Sequence, residues 1–221
     1  MRRVTTLAAL AFSSAAAIGS AHAQAGIAVG AGIGTTGGAV EAQVQVTPNI
    51  QLRGGYNYFQ YDHDDSYDDI EYAGELDLST VAAFVDLRPF GNSFIITGGA
   101  YFGEKTLDLA AAPGQTYQIG GQTYTSAQVG SLAGSVDLED TAPFVGLGWD
   151  TTFQGGPIGF KFIAGAMFTG SPQVNLTSTG GSLSNDATFQ AELQQEEDNL
   201  QNDIDDFKVY PVVQAGVTVG F

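Results

Sequence analysis

Val209-Tyr210-Pro211-Val212-Val213-Gln214-Ala215-Gly216-Val217-Thr218-Val219-Gly220-Phe221 decides the fold. Alternate positions, from Val209 through Pro211, Val213, Ala215, Val217 and Val219 to Phe221, are apolar, while those between them are mostly small or polar, so the stretch reads as a strand with one greasy face. An apolar strand edge left open in water would recruit other chains. A sheet closed into a barrel within lipid has no such edge, because every backbone group finds a partner inside the structure.

The same alternation recurs upstream and predicts an all-β fold, an eight-stranded antiparallel transmembrane β-barrel. Ala25 to Ile33 sets Ile27, Val29, Ala31 and Ile33 on one face. A Gly34-Thr35-Thr36-Gly37 turn leads to Val40, Ala42, Val44 and Val46 alternating with Glu41, Gln43 and Gln45. Strand three places Ile50, Leu52, Gly54, Tyr56 and Tyr58 against Gln51, Arg53, Gly55 and Asn57. Strand four, about Ile70 to Arg88, has Val81, Ala83, Val85 and Leu87 outside, with its phase slipping near Ser79-Thr80 as at a bulge. Strand five runs from Phe94 to about Leu109. A Gly/Gln/Thr-rich loop spans Ala110 to Ser131, and strand six covers Gly134 to Trp149 with Val145, Leu147 and Trp149 outward. Strand seven sets Ile158, Phe160, Phe162, Ala164, Ala166 and Phe168 outside, with Lys161 inside. Between Asp186 and Asp203 the period changes. Phe189, Leu193, Leu200 and Ile204 form a stripe at helical spacing, so the extended external loops include one short amphipathic helix.

The lipid faces so assigned carry no charge, as expected where a cation at the bilayer midplane costs about 2–4 kcal/mol. An even strand number returns both ends to one side, with short turns there and long loops opposite. Residues 1–23 read as a cleaved signal peptide: basic Met1-Arg2-Arg3, apolar Leu7 to Ile18, and Ala21-His22-Ala23 as the small-x-small site. The barrel then occupies 24–221, exported to the outer membrane of a Gram-negative cell. A terminal Phe221 resembles the signal by which the barrel assembly machinery recognises such proteins.

The chain has no cysteine, which excludes disulfides and thiolate metal sites, and a formal charge of −17, which excludes nucleic acid as a partner. The acids gather in the excursions, with Asp62, Asp64, Asp65, Asp68 and Asp69 in one loop and others, including Asp140 and Asp206, elsewhere at the external mouth. Such a mouth concentrates cations and repels anions. Acidic loops also keep a barrel soluble and bridge to lipopolysaccharide through divalent metal. Asp62-His63-Asp64-Asp65 lacks the glycine and distal glutamate of a calcium loop and is taken as solvated, with no metal or cofactor expected. His63 with nearby Ser66 lacks the rigid nucleophile–base pairing an enzyme needs, so no catalysis is expected.

On the inward face, Glu41, Arg53, Asp86, Arg88 and Lys161 demand partners, since an unpaired buried charge is costly. They predict an ion-pair network that plugs a lumen only wide enough for side chains. Three cations against two carboxylates also argue against an open cation pore.

The chain resembles the CarO-type outer-membrane proteins, small barrels named as ornithine porins. The resemblance lies in Leu87-Arg88-Pro89-Phe90-Gly91, Ile119-Gly120-Gly121-Gln122-Thr123-Tyr124, Thr141-Ala142-Pro143-Phe144-Val145-Gly146-Leu147-Gly148 and, most distinctively, Phe168-Thr169-Gly170-Ser171-Pro172-Gln173-Val174-Asn175-Leu176-Thr177. It implies an eight-stranded outer-membrane barrel and passive uptake of small cationic solutes such as basic amino acids. It carries over no catalytic or binding residue. The contrasting expectation is a structural or surface-interaction barrel with a closed lumen. A soluble periplasmic lipid-binding barrel is disfavoured by the uncharged aromatic outer face.

Overall fold

The computed structural model describes residues 26–221 except 68–69, 112–113 and 115, and of residues 62–73 it describes the backbone alone. The proposed signal peptide and Asp68 and Asp69 lie outside the described residues. The chain forms β1 (Ile27–Gly34), β2 (Gly37–Thr47), β3 (Ile50–Tyr67), β4 (Ile70–Leu87), β5 (Phe94–Ala111), β6 (Thr116–Ile119), β7 (Gln122–Thr125), α1 (Ser126–Val129), β8 (Gly130–Asp137), β9 (Thr141–Asp150), β10 (Ile158–Phe168), β11 (Gln173–Gly180), α2 (Ala187–Ile204) and β12 (Val209–Gly220). Eight of these, in the order β5-β4-β3-β2-β1-β12-β10-β9, close when β9 pairs back onto β5 from Phe94↔Trp149 to Phe102↔Thr141. The fold is an all-β antiparallel barrel.

The stretch from Val209 carries two of these seams. Phe168↔Val209 to Ile158↔Val219 joins β12 to β10, and Ala28↔Gly220 to Gly34↔Gln214 joins it to β1. Phe221 completes the second seam by donating its amide to the Ile27 carbonyl (2.8 Å). Between β1 and β2 only Thr35 and Thr36 turn the chain, and Gly37 there adopts φ 89°, a conformation that disfavours any side chain.

The side-chain parity follows the sequence pattern. Val145, Leu147, Trp149, Phe160, Phe162, Val213 and Val217 are exposed on the outside, while Gln43, Arg53, Asp86, Lys161 and Gln214 are buried inside. Three features differ from the sequence reading. The pairing of β4 with both neighbours runs without a register shift, so no bulge interrupts it at Ser79-Thr80. What changes there is the surroundings: below, Val81 and Val85 face lipid, whereas above, Leu78 is buried on the opposite face. The apolar set moves inside because the exterior has become water.

Strand six is two strands. At Leu138–Asp140 the chain steps between β8 and β9, stitched to β5 by Gly103 N to Asp140 O (2.9 Å) and Leu138 N to Lys105 O (3.0 Å). The span 110–131, read as a loop, instead holds the β6–β7 hairpin and α1. Above the barrel, β8 pairs with β5 and β11 with β8, so the tall strands rise on one side into an external platform.

Helix α2 matches its expected position. Asp186 caps it, its carboxylate accepting from Thr188 N (2.9 Å) and Phe189 N (3.0 Å). Asp186→Ala removes about 1 kcal/mol of local helix stability. The expected result is faster amide exchange from Thr188 to Leu193 with no change in barrel unfolding.

Candidate functional site

The inward positions of seven strands and two periplasmic turns converge on a single polar network. Arg53, from β3, makes a two-pronged contact with Asp86 on β4, Nε to Oδ2 at 3.0 Å and Nη2 to Oδ1 at 3.2 Å. Its Nη2 also donates to Thr97 Oγ1 (3.2 Å) and its Nη1 lies 3.6 Å from Glu41 Oε2. Glu41 in turn pairs with Lys161 from β10 and accepts from Gln43 (2.8 Å). Gln51 is the hinge to a second layer: its amide donates to Gln43, Asp86 and Asp150 (3.0, 3.2 and 3.0 Å) and its carbonyl accepts from Arg88 (3.0 Å).

Arg88 closes the periplasmic end. It lies 3.5 Å from the Asp150 carboxylate and donates to the carbonyls of Asp150 (2.7 Å) and Thr152 (3.1 Å). Among the described residues its Nε finds no partner. Asp150 is itself fixed by Thr152 N (2.7 Å), and the Thr152 and Thr218 hydroxyls meet at 2.7 Å. Each of these three cations therefore has a carboxylate in reach, and the three carboxylates balance them.

Above this network the lumen turns apolar. Phe84, Tyr101 and Phe144 meet edge to face, with centroids 5.1, 5.5 and 5.6 Å apart, and Ile95, Ile163, Met167 and Val212 fill the space around them. The Arg53 guanidinium rests 4.2 Å from the Phe84 ring centroid and joins the two layers.

The platform has a core of its own. Tyr117 and Ile119 of the hairpin, Val129, and Phe189 and Leu193 of α2 are buried together, and Tyr124 stacks edge-on against Phe189 at 5.0 Å. The acidic face of α2 binds backbone. Glu197 accepts from Leu176 N (2.9 Å) and Gln201 from Val174 N (3.0 Å), which covers the open edge of β11. Glu196 accepts from Gly120 N (3.1 Å), and Glu192 accepts from the Tyr124 hydroxyl, a bond that pushes the Tyr124 pKa up. At the far end, the bond from Lys208 first, and from Ser171 second, holds the Asp205 carboxyl below the usual range.

No family model matches the chain, and no curated protein does. Among solved structures, the Acinetobacter baumannii CarO2 crystal structure is 25% identical, with TM-score 0.61, covering 90% of this chain and 100% of that one. The crystal structure of Acinetobacter baumannii CarO has the same fold at 23% identity and TM-score 0.54, covering 88% of this chain and 97% of that one. This is a CarO-like outer-membrane barrel.

In the CarO-like barrel Glu41, Arg53, Asp86, Arg88 and Lys161 fall in one network. Asp150, which lies one residue beyond strand six as the sequence predicts it, supplies its third carboxylate, and the excess of positive charge in the lower lumen disappears. Its parity with Gly148 marks it as inward, as does that of Gln43 and Gln51 on their strands. The described residues of the expected acidic mouth lie on several elements. Asp62, Asp64 and Asp65 stand on β3, within a strand; Asp140 lies at the β8–β9 step; Asp206 is exposed before β12. The amphipathic stripe found the apolar part of the packing face of α2 but not the whole of it. Phe189 and Leu193 are buried, Leu200 is exposed, and the face completes itself with Glu192, Glu196, Glu197 and Gln201.

Proposed function

We propose that the CarO-like barrel works at the outer surface through its platform, with the lumen a closed structural plug. The observation that carries this reading is the filled cross-section, a charge-balanced network beneath a three-ring layer. A second support is the platform, whose helix and hairpin share a buried core as a binding surface requires. In planar bilayers the purified chain is expected to show no unit conductance, and liposomes carrying it no swelling with ornithine or glutamate. Steady conductance would overturn the reading. Deleting 186–203 is expected to alter binding of envelope partners, lipopolysaccharide among them, while permeability stays as in the intact chain.

A second reading, passive uptake of small cationic solutes such as basic amino acids, draws on the exposed external acids Glu104, Asp108, Glu139, Asp140, Asp198, Asp203 and Asp206. They attract cations to the mouth. This reading requires the Arg53–Asp86 and Lys161–Glu41 pairs to part during passage, and it predicts flux of ornithine well above that of glutamate.

A further inference from the structure

At the external mouth, between the upper parts of β4, β5, β8 and β10 and the segment joining α2 to β12, lies a cavity of about 410 Å³. Its walls are apolar, with Leu76, Leu107, Val136, Leu138, Ile204 and Phe207 among them. It shares only Met167 and Tyr210 with the aromatic layer below, so it stands whether or not the lumen conducts.

Among the described residues one charged side chain lines it. Lys105 is 2% exposed, and its ammonium donates to the carbonyls of Gly103 (2.7 Å) and Asp140 (3.0 Å). Among the described residues no carboxylate stands within ion-pair distance of it. The contrast with the lumen is chemical: Arg53, Arg88 and Lys161 each have a carboxylate, whereas Lys105 has two carbonyl dipoles and a third N–H to give. Burial accordingly pushes the Lys105 pKa down, with Asp140 pulling the other way.

We infer that this cavity binds an amphipathic monocarboxylate of the medium-chain fatty acid class, its tail in the leucine-lined space and its carboxylate on Lys105. The volume lies within the ~300–1,000 Å³ of small-molecule sites, which are greasy with few placed polar groups. Walls of this kind give a zwitterionic amino acid nothing to pair its second charge with. The missing counter-ion selects an anion over a neutral amphipath of equal length, through a charge-assisted hydrogen bond.

The test uses the full chain in phospholipid nanodiscs, with protein-free nanodiscs as background, titrated with carboxyl-labelled decanoate and with decanol. Decanoate is expected to bind saturably and about tenfold more tightly than decanol. Lys105→Met is expected to bring decanoate down to the decanol level and leave decanol unchanged. Leu138→Trp, which fills the cavity and keeps Lys105, is expected to abolish binding of both, and it keeps the test readable should Lys105→Met fail to fold. Decanoate that does not saturate, wild-type decanoate affinity in Lys105→Met, or retained binding in Leu138→Trp would each overturn the assignment.

Discussion

Arg53→Met is expected to lower the unfolding free energy of the barrel by about 3–5 kcal/mol, the usual penalty for removing one member of a buried ion pair. The penalty is mostly the cost of what remains. Asp86 is fully buried and takes both prongs of the guanidinium, and Glu41 and Thr97 lose a partner in the same step. Met replaces the aliphatic stem but not the guanidinium that rests on Phe84, so the loss is chiefly electrostatic, with a smaller share from that lost contact. Urea titration of the barrel refolded in vesicles reads it as a lower midpoint. Arg53→Met combined with Asp86→Leu is expected to recover most of the loss, because an apolar pair of similar volume leaves no stranded charge at that position. Wild-type stability for the single variant would mean that water, not protein, solvates these groups, and the closed-lumen proposal would fall with it.

That contrast also explains which parts of the molecule were legible from residues alone. The membrane-spanning wall is legible because hydrocarbon on one side enforces a period of two with no tolerance for charge, so Val145, Leu147 and Phe162 announce their face. The five lumen charges follow from the same parity. Asp150 was not found because it ends its strand beside a turn, where composition outweighs periodicity. Around Ser79 the rule inverts, since above the lipid the outside is aqueous, and a change of solvent imitates a change of register. The platform was harder still. The 110–131 span is rich in Gly, Gln and Thr, and its order depends on tertiary burial of Tyr117, Ile119 and Val129 against α2, which no local pattern encodes. The acids of α2 mislead for a related reason: Glu196 and Glu197 look solvated but serve as acceptors for backbone amides, Glu197 at the otherwise open edge of β11 and Glu196 at the turn of the β6–β7 hairpin.

Leu147→Arg is expected to cost about 2–4 kcal/mol and to slow or prevent insertion into bilayers, while Glu104→Arg stays within about 0.5 kcal/mol of the parent. Both positions are exposed on the outer surface, so exposure does not separate them. Height does. Leu147 pairs with Ala164 and Ile96 midway along the wall, flanked on its own strand by Val145 and Trp149. Glu104 pairs with Ser79 where β5 changes partner from β9 to β8, above the apolar band. In a hydrocarbon slab the guanidinium at position 147 has to snorkel or drag water inward, whereas at position 104 it meets headgroups and solvent. Folding yield into phosphatidylcholine vesicles, followed by protease protection, compares the two directly. Equal yields would show that the outer face of β9 is wetted, and a wall so wetted could not lie in a membrane.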